Sequence, residues 1–326
     1  MHENHESHET PPGRIRLGIA RCLLGEPVRY DGTHKLNRYL RDTLGAYVDW
    51  VPVCPEVECG MPVPREAVRL AGDPAAPRLV GRSSSEDWTE RMRAWGERRL
   101  EGLADEELCG YVFRHGSPSN GMRGIKVHQD GGRTLYDGVG LWVRMVMDRF
   151  PALPVEDDGR LNDPGIRENF IARVFTLHRW NAMTADGWSP GALVEFHTRH
   201  KLLVMAHNVE CYRALGKIVA RAGAEPPGTL FPEYRALLFK ALGHRPTVKK
   251  HVNTLQHALG HFKKELDGDD KREMLELIDR YHRGLVPLVA PITLLAHHVR
   301  RFGKAYLDKQ YYLHPYPAEL MLRNHV

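Results

Sequence analysis

Three runs in the first part of this chain read as β-strands, and each leads into a short polar motif. Ile15–Ala20 runs into Arg21-Cys22-Leu23-Leu24-Gly25, and Val48–Val53 into Cys54-Pro55-Glu56. Gly110–Arg114 leads to Ser117-Pro118-Ser119-Asn120-Gly121. Helix-like spacing lies between them. Leu36, Leu40 and Leu44 recur every four residues before Gly45. Met92, Trp95 and Leu103 fit the inner face of a helix that Asp87 and Glu90 open in the manner of a capping box. Strands alternating with helices argue for a parallel sheet covered by helices. The loops after parallel strands gather outside their carboxyl ends, where open α/β sheets bind ligands. The expectation is a Rossmann-like α/β parallel-sheet domain with its working site on these three loops.

The rest of the chain fits around that frame. Leu70–Ser85 reads as a polar connection, and Gly131-Gly132 marks a hairpin-like segment. Val139, Val143, Val146 and Phe150 fall at helical spacing, Pro151 ends that helix, and Leu153–Glu156 reads as a fourth strand. Asn162-Asp163-Pro164 is a helix start, with Ile166, Phe170 and Val174 on one face. The Gly-, Ser- and Asp-containing stretch 181–190 reads as a linker. Beyond it every periodic segment is helical, including one long candidate from Leu193 to Ala222, which indicates an all-α bundle. The expected organisation is a disordered tail at 1–14, an α/β domain at 15–180, a linker at 181–190 and a helical domain at 191–326.

Composition narrows the classes. A chain of 326 residues is long for one domain. No apolar run approaches the length of a membrane span. Met1–Thr10 is polar and lacks the apolar core of a signal peptide, so the expected location is the cytoplasm. The five cysteines are then expected as free thiols: buried residues, ligands or nucleophiles. The formal charge of +5 permits a nucleic-acid partner without demanding one.

Cysteines on separate loops at one sheet edge suit a soft metal or an iron–sulfur cluster, though free cysteines are more often simply buried. Arg29 and Asp31 either line the site or stabilise a turn. Arg65 either meets a ligand or bridges loop carbonyls. His197, His200 and His207 share a helix face, expected as a polar or partner-binding face ahead of a metal site. Cys109 and Cys211 are expected in the core. Tyr311–Pro317 reads as a carboxyl-terminal strap.

The amino-terminal half resembles the 2-thiouracil desulfidase family. The shared motifs are CLLG at Cys22–Gly25, RYDG at Arg29–Gly32, CPEV at Cys54–Val57, Pro64-Arg65, and SPS-x-G at Ser117–Gly121. The whole chain resembles the longer YbgA-type architecture, through Glu156–Pro164, FHTRHKLL at Phe196–Leu203, APITLL at Ala290–Leu295 and YLHPYP at Tyr312–Pro317. The resemblance implies a [4Fe-4S] cluster held by three cysteines, with an open iron that takes sulfur from a thiolated nucleobase or related thioamide. It maps ligands to Cys22 and Cys54, an acid–base role to Glu56 and a polarising role to Ser117. Arg29, Asp31, Arg65 and Asn120 would bind substrate.

Two positions depart from the pattern. The family's third ligand falls on Asn120, and Gly116 stands where a lysine is usual. An amide is a poor ligand for iron among sulfurs. Three readings follow: Cys59 supplies the third thiolate, two cysteines and another ligand hold the cluster, or the cluster is lost and the pocket is a non-catalytic binding or regulatory module.

Overall fold

The structure, a computed structural model, describes residues 14–185 and 187–325. The tail expected at 1–14 lies outside the described residues, save Arg14. The chain forms two compact units, one ending at Asp163 and the other beginning at Pro164. Residues 181–185, within the expected linker, continue a helix.

The first unit contains, in chain order, β1 (Ile15–Ala20), β2 (Val48–Val53), α1 (Pro55–Glu58), β3 (Val68–Ala71), β4 (Arg78–Gly81) and α2 (Thr89–Asp105). These are followed by β5 (Gly110–Phe113), β6 (Ile125–His128), β7 (Thr134–Gly138), α3 (Leu141–Arg149) and β8 (Val155–Asp157). The main sheet is parallel, in the order β2-β1-β5-β8. Register pairs Ile15 with Val48, Leu17 with Gly110 and Tyr111 with Val155. All four residues of β5 are buried, as expected for a parallel strand covered on both faces. Trp142 of α3 packs at a tilt against Trp95 of α2, with centroids 4.8 Å apart, and donates its indole N–H to Tyr111 Oη at 3.0 Å. From β1 the chain moves outward to β2, then returns across to β5. The order therefore reverses between β1 and β5, and the crevice at that reversal is where such sheets take ligands.

Two expectations for this unit are corrected. The stretch 70–85 is not a plain connection. It contributes to a second sheet, β4-β3-β6-β7, in which β3 pairs parallel to β6 between two antiparallel hairpins. The helix expected through Leu36, Leu40 and Leu44 shrinks to one π-turn at Tyr39–Thr43 and a 3-10 turn at Leu44–Ala46. The cause lies in the cysteine loop: Lys35 N–H donates to the Cys22 carbonyl (2.8 Å) and Asn37 N–H to the Leu23 carbonyl (2.9 Å). Those donors hold residues 35–37 against the loop instead of in a helix.

The second unit is helical: α4 (Pro164–Ala185), α5 (Pro190–His207), α6 (Val209–Val219), α7 (Pro227–Gly243), α8 (Val248–Leu259), α9 (Gly268–His282), α10 (Val289–Arg301) and α11 (Ala305–Asp308). The single helix expected over Leu193–Ala222 is two, divided at Asn208, whose side chain accepts from the Cys211 N–H and caps α6. Among the described residues, no helix is long and apolar enough to cross a membrane.

Candidate functional site

A cavity of about 180 Å³ opens where the loops after β1, β2 and β5 meet. Its wall includes Cys22, Arg29, Cys54, Glu56, Arg65, Ser117 and Asn120. Seven of the nine residues expected at the site therefore share one wall. Asp31 and Cys59 are not on it. Asp31 caps its own turn, accepting from Thr33 N–H at 3.1 Å, and pairs with Arg29 at 3.1 Å.

The backbone explains the placement. Cys22 sits in a 3-10 turn that closes β1, and Gly25 leaves that turn at φ +98°, a conformation that favours glycine. Cys54 ends β2 and precedes α1, its N–H donating to Glu58 Oε1 at 2.8 Å. The Ser117–Gly121 loop closes on itself through Gly121 N–H to Ser117 O, 2.7 Å. Gly140 presses against this loop, where an added Cβ would lie 2.3 Å from Ser119 O. A glycine is thus required at 140, a need that only the tertiary approach reveals.

Glu56 organises the polar wall. Its Oε1 accepts from Ser119 Oγ (2.5 Å) and, more weakly, Ser117 Oγ (3.4 Å). Its Oε2 accepts from Arg65 Nη2 at 3.0 Å. The Glu56–Arg65 pair is largely buried, with side chains 15% and 6% exposed. Arg65 also donates to the Val28 and Pro62 carbonyls (3.2 and 3.1 Å), so the ligand-facing and loop-bridging readings of this arginine both hold. Ser119 is fully buried and was missed as a functional residue. Its signal was present: it is the second serine of SPS-x-G.

Burial pushes the Cys22 thiol up to about 11, and the Glu56 carboxylate adds to the shift. Burial pushes Cys54 up to about 12, again with help from Glu56 and a smaller contribution from Cys22. Both cysteines are therefore thiols at neutral pH, and any metal they bound would displace their protons.

The cluster implied by the resemblance needs three cysteine thiolates facing one cavity. Cys22 and Cys54 stand on the wall, and Asn120 occupies the third position. The Cys59 thiol turns to the Glu56 carbonyl, 3.2 Å away. Among the described residues, no three His, Cys, Asp or Glu side chains converge as a metal-ligand set. The residues present do not fit a cluster held by three cysteines.

The other expected features lie in the helical unit. His197, His200 and His207 are buried (3%, 0% and 2% exposed), not on a polar face. Their Nδ1 atoms meet Tyr234 Oη (3.1 Å), Phe196 O (2.7 Å) and His244 O (2.9 Å). The Tyr311–Pro317 segment packs within the same unit, with Tyr312 fully buried and Pro315 O accepting from Arg179 at 2.6 Å. Cys109 and Cys211 are buried.

Comparison with known proteins adds to this geometry. Residues 17–158 match the family described as 2-thiouracil desulfurase, and residues 201–317 match the family described as a protein of unknown function, DUF1722. The Escherichia coli (strain K12) protein called Uncharacterized protein YbgA is 31% identical over 158 residues, covering 48% of this chain and 94% of the relative. A solved structure titled [4Fe-4S]-dependent thiouracil desulfidase TudS is 27% identical, covers 46% of this chain and 95% of its own, and superposes with a TM-score of 0.38.

Proposed function

This chain belongs to the family of YbgA, and from the match of residues 17–158 to the 2-thiouracil desulfurase family we propose that its α/β unit is a desulfidase-like pocket for a thiolated pyrimidine or related thioamide. One observation carries the reading: seven residues expected at the site, from three separate loops, line one cavity at the reversal point of the sheet. Within it, Arg65 and Ser119 hold the Glu56 carboxylate. Glu56 and Ser117 stand where a proton can pass between a bound ring and a water. The Cys22 and Cys54 thiols offer a soft, polarizable surface to sulfur.

Two readings differ on the cofactor. Asn120 on the wall and Cys59 off it favour binding of the thiolated ring without a three-cysteine cluster. The retention of Cys22 and Cys54 together on the wall favours the second reading, iron–sulfur-dependent sulfur removal. The wall is one thiolate short of a three-cysteine donor set. Anaerobic reconstitution of the full chain with iron and sulfide decides between them, measured by iron content, acid-labile sulfide and sulfide release from 2-thiouracil. The first reading expects 2-thiouracil binding with little iron in the native chain and a gain of cluster in Asn120→Cys. A stable cluster with sulfide release in the native chain establishes the second. Failure of 2-thiouracil to bind in either state overturns the substrate class.

A further inference from the structure

Tyr30 lines the cavity and is 42% exposed. Among the described residues it is the one Phe, Tyr or Trp on a wall otherwise built from small aliphatic, sulfur and polar groups. A single exposed aromatic is ordinary on a protein surface. This one is set apart by its place on the wall and by how firmly its backbone is held. Arg65 N–H donates to the Tyr30 carbonyl at 2.8 Å, Gly32 N–H to the Arg29 carbonyl at 2.9 Å and Arg29 N–H to the Thr33 carbonyl at 3.2 Å. The Arg65 guanidinium ties the same loop through the Val28 carbonyl, at 3.2 Å. The turn that carries Tyr30 is therefore fixed at the cavity, and only two side-chain torsions remain for a ligand to order.

The surroundings of the ring are lopsided. The Arg29 guanidinium lies over it, 5.5 Å from the centroid, within the range of a cation–π contact. Arg29 is itself held by Asp31 at 3.1 Å and by Thr33 Oγ1. Among the described residues no other ring or cation stacks on Tyr30, so Arg29 supports the ring while its exposed surface has no such partner. The polar wall groups Glu56, Ser117 and Asn120 come from the other two loops. They suit the N–H and C=O edge of a heterocycle and offer nothing to its faces. A flat conjugated ring stacks well on an aromatic side chain, which is worth about fivefold to a hundredfold in affinity per base.

We infer that Tyr30 is a specificity-determining residue of this cavity: its phenol ring stacks on the face of a planar, conjugated heterocycle, so the cavity discriminates against the same ring once it is saturated. The inference rests on the thiolated-ring reading above and adds the shape of ring that the cavity selects.

The test titrates the full chain with 2-thiouracil and with 5,6-dihydro-2-thiouracil by calorimetry. The second compound keeps both N–H groups, the carbonyl and the thiocarbonyl, and loses the double bond that makes the ring flat. The native chain is expected to bind 2-thiouracil about fivefold to a hundredfold more tightly than the dihydro compound. Tyr30→Leu is expected to weaken 2-thiouracil by a similar factor and to bring the ratio of the two affinities toward one, which separates stacking from a general loss of binding. Tyr30→Phe keeps the ring without its hydroxyl and should retain both the affinity and the ratio. Tyr30 stands outside the core, so both variants should unfold at the native urea midpoint. Equal affinity of the native chain for the two compounds overturns the inference. So does a ratio that persists undiminished in Tyr30→Leu, or a loss in Tyr30→Phe as large as that in Tyr30→Leu. Equal binding of 2-thiouracil by the native chain and Tyr30→Leu overturns this inference alone, whereas no binding of 2-thiouracil by the native chain overturns the parent reading and this inference with it.

Discussion

The two units bury polar side chains in opposite ways. In the α/β unit, buried and half-buried groups from three loops far apart in sequence converge: Cys22, Cys54 with Glu56, and Ser117 with Ser119 and Asn120. In the helical unit, three histidines from one helix diverge to separate partners: Tyr234 on α7, the Phe196 carbonyl in the preceding turn, and the His244 carbonyl after α7. Spacing of three and four residues placed those histidines together in the sequence, yet α5 is packed by α4, α6, α7 and α8, so the positions that carry them are buried while Glu195 of the same helix stays exposed. Burial of a polar group does not by itself mark a site. Convergence beside a cavity does.

The sharpest way to probe that contrast uses two buried ion pairs, one in each unit. Arg65 pairs with Glu56 at 3.0 Å, and Arg323 pairs with Glu168 at 2.8 Å. Each arginine also donates to a backbone carbonyl, Val28 O and Tyr312 O respectively. Replacing either by methionine leaves a carboxylate buried and unpaired, which should cost about 3–5 kcal/mol of stability in its unit. Urea unfolding of the full chain measures that loss. Function separates the two: Arg65→Met should lose 2-thiouracil binding because Glu56 is released from the wall, while Arg323→Met should keep it wherever the chain remains folded. Equal loss of binding in both variants would break the comparison.

Acid should act on the helical unit through its histidines. Burial pushes His197 and His207 down to about 4. Their unfolded value is about 6.5, so the unfolded chain takes up protons first as pH falls. The contribution of each neutral ring is complete above about pH 6.5 and is lost as pH falls toward 4, at about 1.4 kcal/mol per pH unit and about 3 kcal/mol in total. Among the described residues, the α/β unit has no histidine so buried: His34 and His115 are exposed and His128 is intermediate. Hydrogen exchange at pH 7 and pH 5, corrected for intrinsic rates, should show more opening in α5 than in the main sheet. His207→Asn retains a donor for the His244 carbonyl and should reduce the slope of stability against pH by one proton. A slope unchanged in that variant would assign the acid sensitivity elsewhere.

The sequence made this contrast partly legible. β1, β2 and β5 stood out because runs such as Ile15–Ala20 are mostly apolar, with Arg16 the one charged residue, and end at distinctive motifs. The second sheet did not, because its strands are short and half-exposed: only Leu70 of β3 is buried, and Lys126 interrupts β6. Leu36, Leu40 and Leu44 imitated a helix, but the Cys22 and Leu23 carbonyls captured the backbone first. At the site, residue type and motif located Cys22, Cys54, Glu56 and Ser117. They did not show that Ser119 holds the carboxylate, or that Gly140 admits the loop, since both depend on contacts between segments distant in sequence. Asn120 was visible as a departure, while its unpartnered oxygen required coordinates.

The smallest expected effect tests the limit of convergence, at Cys59. This residue lies five positions after Cys54 and is 8% exposed, as buried as Cys22 at 8%. Burial alone would rank the two alike. Their directions differ: Cys22 faces the cavity, and the Cys59 thiol donates to the Glu56 carbonyl at 3.2 Å. A serine hydroxyl can make the same bond, so Cys59→Ser exchanges a weak donor for a stronger one with little change in volume. The cost should stay below about 1 kcal/mol, and 2-thiouracil affinity should not change. Iron uptake on reconstitution should be the same with and without the substitution. A fall in iron confined to Cys59→Ser would show the thiol swinging to the wall on loading, and Cys59 would then join the converging set.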